Sequence, residues 1–74
     1  MLTIRQINGH LKYSQGLVGC LHRAKDYFYF AGPSFEMSPE TGVYGVRTLN
    51  SLSLAQWMLE AHRVADAAKL NSSL

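Results

Sequence analysis

The sequence predicts one small α+β domain over residues 1–74. A helix, a three-stranded antiparallel sheet and a second helix follow one another (αβββα), with both helices on one sheet face. Three observations carry this expectation. Capping-box patterns stand near both ends, the run Tyr27-Phe28-Tyr29-Phe30 alternates in the middle, and 74 residues leave room for a single core.

The first helix is expected over 3–14. Ile4, Ile7 and Leu11 repeat at helical spacing, Thr3 and Gln6 form a T-x-x-Q capping box, and Leu2 with Ile7 sits where a hydrophobic staple closes it. Gly16 supplies a left-handed stop. Strands are expected over 17–23 and 26–31, joined as a hairpin through Ala24 and Lys25. In the second strand the period of two sends Phe28 and Phe30 to one face and Tyr27 and Tyr29 to the other. A third strand over 43–49 would send Tyr44 and Val46 to the core face, and Val43, Gly45 and Arg47 outward. The last helix, 53–69, repeats the opening pattern with Ser53 and Gln56 as capping box and Leu52 and Trp57 as staple. Its apolar face is Leu54, Trp57, Met58, Ala61, Ala65 and Ala68.

The expected core joins Phe28, Phe30, Tyr44 and Val46 to Ile4, Ile7, Leu11, Trp57 and Met58. Nothing then remains to cover the opposite sheet face. That face would carry Tyr27, Tyr29, Val43 and Arg47, with either Val18, Cys20 and His22 or Leu17, Leu21 and Arg23 from the first strand, because both alternations of that strand contain apolar residues. Tyrosines beside an arginine match the composition of protein interfaces. A homodimer through this face would also enlarge a small core. The long connection 32–42, which contains Pro33 and Pro39 and carries Phe35, Glu36, Met37 and Glu40, is the second expected contact region for a protein partner, with Phe35 and Met37 either folding back over the core or meeting that partner.

Charge is unevenly placed. Arg5, Lys12, Arg23 and Lys25 stand in the first 25 residues without an acid, and Asp26, Glu36 and Glu40 follow without a base, within a net charge of +2. The basic set, with stacking by Tyr27 or Tyr29, makes nucleic-acid binding the alternative function.

Catalysis is not expected. Cys20 and His22 share a strand face, but no third group is placed to orient the histidine. His10, His22 and His62 have no metal-ligand spacing, and neither a Cys-x-x-Cys pair nor a glycine-rich phosphate loop is present, so no metal and no cofactor is expected. The single cysteine cannot form an internal disulfide. With no apolar run approaching the roughly 20 residues that span a bilayer, and no signal peptide in the first 14 residues, a cytoplasmic protein without membrane contact is expected.

Several motifs resemble known families. The order of elements resembles the double-stranded-RNA-binding domain, although Leu54-Ala55-Gln56-Trp57-Met58 has no lysine where that family places its lysine-rich motif. Aromatic residues on the middle strand are similar to the RNA-recognition-motif sheet, without that motif's glycines and leading basic residue. Other features resemble short open reading frames of bacterial phages, plasmids and integrated elements over residues 4 to about 60. These are Ile4, Ile7, Asn8 and Leu11, the Tyr27 to Phe30 strand, the Val43-Tyr44 pair, and Leu49, Leu52, Leu54 and Trp57. That resemblance implies a small binding protein that occupies a surface on a larger host or element protein, with CRISPR and other defence complexes among the candidate targets.

Overall fold

The computed structural model describes residues 1–72. Helix α1 (Ile4–Tyr13) is followed by strands β1 (Cys20–Arg23), β2 (Phe28–Ala31) and β3 (Gly42–Val43), a 3-10 turn (Leu49–Ser51) and helix α2 (Leu54–Ser72). The sheet is antiparallel throughout, with β2 in the centre. This is the expected αβββα order.

Both helices begin as the sequence indicates. Thr3 Oγ1 accepts from the Gln6 N–H at 3.2 Å while Gln6 Oε1 accepts from the Thr3 N–H at 2.9 Å. Ser53 and Gln56 repeat the exchange at 3.1 and 2.8 Å. Each reciprocal pair satisfies two N–H groups that a helix start otherwise leaves without partners. At the other end of α1, Gly16 takes φ 65°, and the Leu17 N–H turns back to the Leu11 carbonyl. Helix α2 runs through Ser72, three residues beyond the expected end at 69.

One core fills the space between the layers. Ile7 and Leu11 from α1, Leu21, Phe28, Phe30 and Val43 from the sheet, and Trp57, Ala61 and Val64 from α2 are all buried in it. The Phe28 ring meets Trp57 edge to face at 5.3 Å between centroids, a favoured geometry for aromatic quadrupoles. The buried indole Nε1–H donates to the Leu49 carbonyl at 2.8 Å, so no polar cost attaches to enclosing the tryptophan.

The first strand is shorter than expected, and its register is now settled. Leu21 lies opposite Phe30 on the core face, and Cys20 and His22 lie opposite Ala31 and Tyr29 on the other. Before β1 the chain departs from a regular ladder because Gly19 and Gly32 cross in close contact. A Cβ on Gly32 would land on the Gly19 Cα, and both glycines hold positive φ, 150° and 134°. Ser34 locks this crossing, donating its N–H to the Val18 carbonyl at 2.9 Å and accepting the Val18 N–H on its hydroxyl at 2.8 Å.

The third strand departs most from expectation. It has two residues instead of seven, Val43 is in the core, and Tyr44 is 61% exposed. Val43 and Val46 are both buried although three residues apart. A continuous strand cannot point such a pair to one face. Gly45, at φ 78°, supplies the turn that returns Val46 to the interior, and Arg47 consequently lies beyond the sheet.

The connection after β2 folds back. Phe35 is fully buried, with its ring 5.1 Å from Phe30, and is a core residue, not an exposed contact. Two successive turns hold it there, from the Phe35 N–H to the Gly32 carbonyl and from the Ser38 N–H to the Phe35 carbonyl. Met37 remains exposed, and its carbonyl accepts from Asn71 of α2 at 2.8 Å.

Phe35→Ala is therefore expected to cost about 3–5 kcal/mol, and Gly32→Ala about 3 kcal/mol or more. Urea denaturation followed by circular dichroism measures both, and a loss below about 1 kcal/mol for either would contradict the packing described.

Candidate aromatic docking surface

Because α1 and α2 both pack on the face that carries Phe28 and Phe30, no element among the described residues covers the other face of the sheet. The residues there are aromatic. His22 stacks on its cross-strand neighbour Tyr29 at 5.2 Å with 19° between the rings; Tyr27 meets Tyr29 at 6.2 Å and Tyr44 at 4.9 Å. Four rings thus form one continuous strip across the sheet. His22 and Tyr44 are exposed, and Tyr27 and Tyr29 are half-buried by one another.

A glycine makes the strip possible. Gly42 lies opposite Tyr29 on this face, and a Cβ there would sit within the Tyr44 ring. Without that side chain the tyrosine folds back over the strand and reaches Tyr27. The Tyr44 hydroxyl donates to Glu40 Oε1 at 3.0 Å, and the same oxygen accepts the Gly42 N–H at 3.1 Å, so one carboxylate holds both the ring and the strand beneath it.

The hydrogen bond to Glu40 is the main cause that raises the Tyr44 pKa above the ordinary phenol value. Desolvation, the Glu40 charge and Tyr27 add in the same direction. A phenol raised in this way favours the folded state while it is neutral. That contribution is complete below the unfolded-state pKa and is lost as pH rises through the folded-state one.

The expected protein-binding residues are dispersed by the fold. Tyr27 and Tyr29 belong to the strip, Glu40 borders it, and Arg47 lies past β3. Glu36 and Met37 are exposed on the turns after β2. Tyr44 and His22 were not among the expected site residues. His22 was foreshadowed by one of the two open registers of the first strand, whereas Tyr44 was assigned to the wrong face; the glycine two residues before it was the available signal.

The basic residues are divided among the elements. Arg5 and Lys12 belong to the helix layer, with Lys12 lying 5.3 Å over the Tyr13 ring. Arg23 is on the core-face register of β1, with its guanidinium 5.0 Å over Phe28. Lys25 is exposed at the hairpin turn.

Of the side chains considered for chemistry, Cys20 and His22 share the outer face of β1, while His10 and His62 are carried by the two helices. Cys20 is an exposed free thiol, His10 is 3.3 Å from Ser14, and His62 is 2.6 Å from Gln15. Among the described residues no three His, Cys, Asp or Glu side chains come together as a metal site, and no helix is long and apolar enough to cross a membrane.

Neither outer strand of the sheet is left as a bare edge. Asn8 of α1 accepts the Leu21 N–H at 2.8 Å, and Arg63 of α2 donates to the Gly42 carbonyl at 3.2 Å. Helix side chains therefore occupy edge groups that another strand would need for pairing.

Comparison with protein-family models, curated proteins and solved structures returned no match.

Glu40→Gln is expected to lower the Tyr44 pKa toward the ordinary phenol value, because a neutral amide removes the carboxylate acceptor and its charge. The Tyr44 ring resonances followed through an alkaline NMR titration measure this, and an unmoved midpoint would refute Glu40 as the cause.

Proposed function

We propose that this protein is a non-enzymatic binding module of phage or mobile-element type, which acts by laying its aromatic sheet face on a larger protein of the host or of the element. The observation that carries the reading is the uncovered strip of His22, Tyr29, Tyr27 and Tyr44. Tyrosine offers a broad apolar ring and a terminal hydroxyl at small entropic cost, and for that reason it recurs among residues that dominate binding energy.

The partner's chemistry follows from the surroundings. Glu40 lies at the strip, and Asp26 precedes Tyr27 at the hairpin turn. A protein surface with arginine or lysine side chains would find ring faces for cation–π contact and carboxylates close by. Since the edge strands are engaged by Asn8 and Arg63, the mode of contact is face-on packing and not strand addition. The phage and mobile-element motifs add the expectation that the target is a host complex, with CRISPR effectors and other defence assemblies in the candidate class.

Nucleic acid fits the surface less well. Stacking platforms for single strands combine aromatic rings with a basic groove along the same path. Here Arg5 and Lys12 are carried by the helix layer, away from the rings.

Tyr29→Ala and Tyr44→Ala are each expected to weaken binding to a partner captured from host extract by about 30-fold, the equivalent of a 2 kcal/mol interface residue. Arg5→Ala should leave it unchanged. Calorimetry on the purified pair, with circular dichroism to verify folding, gives the comparison. Binding that survives both tyrosine variants, or a low-salt nucleic-acid mobility shift lost in Arg5→Ala, would overturn the reading.

A further inference from the structure

Helix α2 has a second, exposed face, which among the described residues touches the sheet only where Arg63 reaches the Gly42 carbonyl of β3. Its core stripe is Trp57, Ala61, Val64 and Ala68, all buried. On the opposite side stand Leu59, Arg63, Asp66 and Leu70, which fall within about 60° of one another around the helix at 3.6 residues per turn. Leu59 and Leu70 are each 69% exposed. Asp66 is exposed and has no partner among the described residues. Arg63 is held in place by Glu60 at 2.9 Å and by the Gly42 carbonyl at 3.2 Å, yet its side chain is still 44% exposed.

The spacing of these four residues, four then three then four, is that of alternating d and a positions in a heptad. In an antiparallel helix pair each a layer meets a d layer of the other helix. A two-fold axis between Val64 and Ala65 then places Leu59 of one copy against Leu70 of the other, and Arg63 against Asp66. Symmetry generates both contacts a second time. The face is self-complementary in shape and in charge. A parallel pairing would instead oppose Arg63 to Arg63 and Asp66 to Asp66, and a shift of one heptad would separate the leucines.

We propose that a second copy of this chain docks on this face, forming an antiparallel α2–α2 homodimer closed by two Leu59–Leu70 and two Arg63–Asp66 contacts. The four layers span about 16 Å at 1.5 Å per residue, a contact far smaller than the ~2,000 Å² or more of a permanent interface. Association is therefore reversible and concentration-dependent. It also differs from a dimer through the sheet, because its contacts are on α2 and leave the tyrosine strip free. Two copies joined by their helices present two strips. If the strip is the partner-binding surface, the dimer is bivalent, and engagement of one site raises the effective concentration of the other.

Sedimentation velocity on the full chain from micromolar to millimolar concentration is expected to show a reversible monomer–dimer equilibrium that weakens with salt. Asp66→Arg should weaken it by about tenfold or more, since each inner layer then opposes two cations. An equimolar mixture of Asp66→Arg and Arg63→Asp chains should recover the dimer, because every inner layer is again an acid with a base. Leu70→Ser, which leaves the Arg63 contacts to β3 in place, should also weaken the dimer and keeps the test decisive if Arg63→Asp does not fold. A chain that stays monomeric at millimolar concentration overturns the proposal. So does a dimer indifferent to both Asp66→Arg and Leu70→Ser, or one lost instead in Tyr29→Ala.

Discussion

The packing of Phe28 and Phe30 beneath the helices is the constraint on which the rest of this structure depends. Strand β2 is central, so its parity decides what each sheet face presents. With Phe28 on Trp57 and Phe30 on Phe35, the tyrosines on either side of Phe28 have only the outer face available. Among the described residues no third layer covers them. The aromatic surface is thus a direct consequence of assigning both helices to one side.

The layers also sort the polar chemistry. Rings and the Glu40 carboxylate occupy the outer sheet face, while Arg5, Lys12, Arg63 and Asp66 are carried by the helices. Helix side chains finish what the short sheet leaves incomplete, Asn8 at β1 and Arg63 at β3. With these edge groups taken up, the exposed surfaces that remain include the aromatic sheet face and the outer stripe of α2.

Much of the fold was legible because its signals are local. Thr3 with Gln6, and Ser53 with Gln56, mark helix starts through hydrogen bonds that span three residues and need no tertiary partner. The alternation Tyr27 to Phe30 is equally self-contained. The candidate site was legible only in its centre. Tyr27 and Tyr29 follow from period alone, whereas Val43 and Tyr44 lie on the faces opposite to those that an uninterrupted period through 43–49 predicts. For Phe35 the sequence leaves two outcomes, burial in the core or contact with a partner, because the Gly19–Gly32 crossing beside its loop joins residues 13 apart, which no local pattern reports.

By itself, the sequence determined the kinds of element, their order, both helix caps and the parity of the central strand, since each is set by backbone and side-chain geometry within a few residues. Tertiary structure alone decided the register of β1, the end of β3 at the Gly45 turn, the burial of Phe35 and the place of Tyr44 over Gly42. Those features arise where segments distant in the chain compete for the same volume. The choice between an inward and an outward side chain there rests on which neighbour fills the space, and that neighbour is known only once the layers have met.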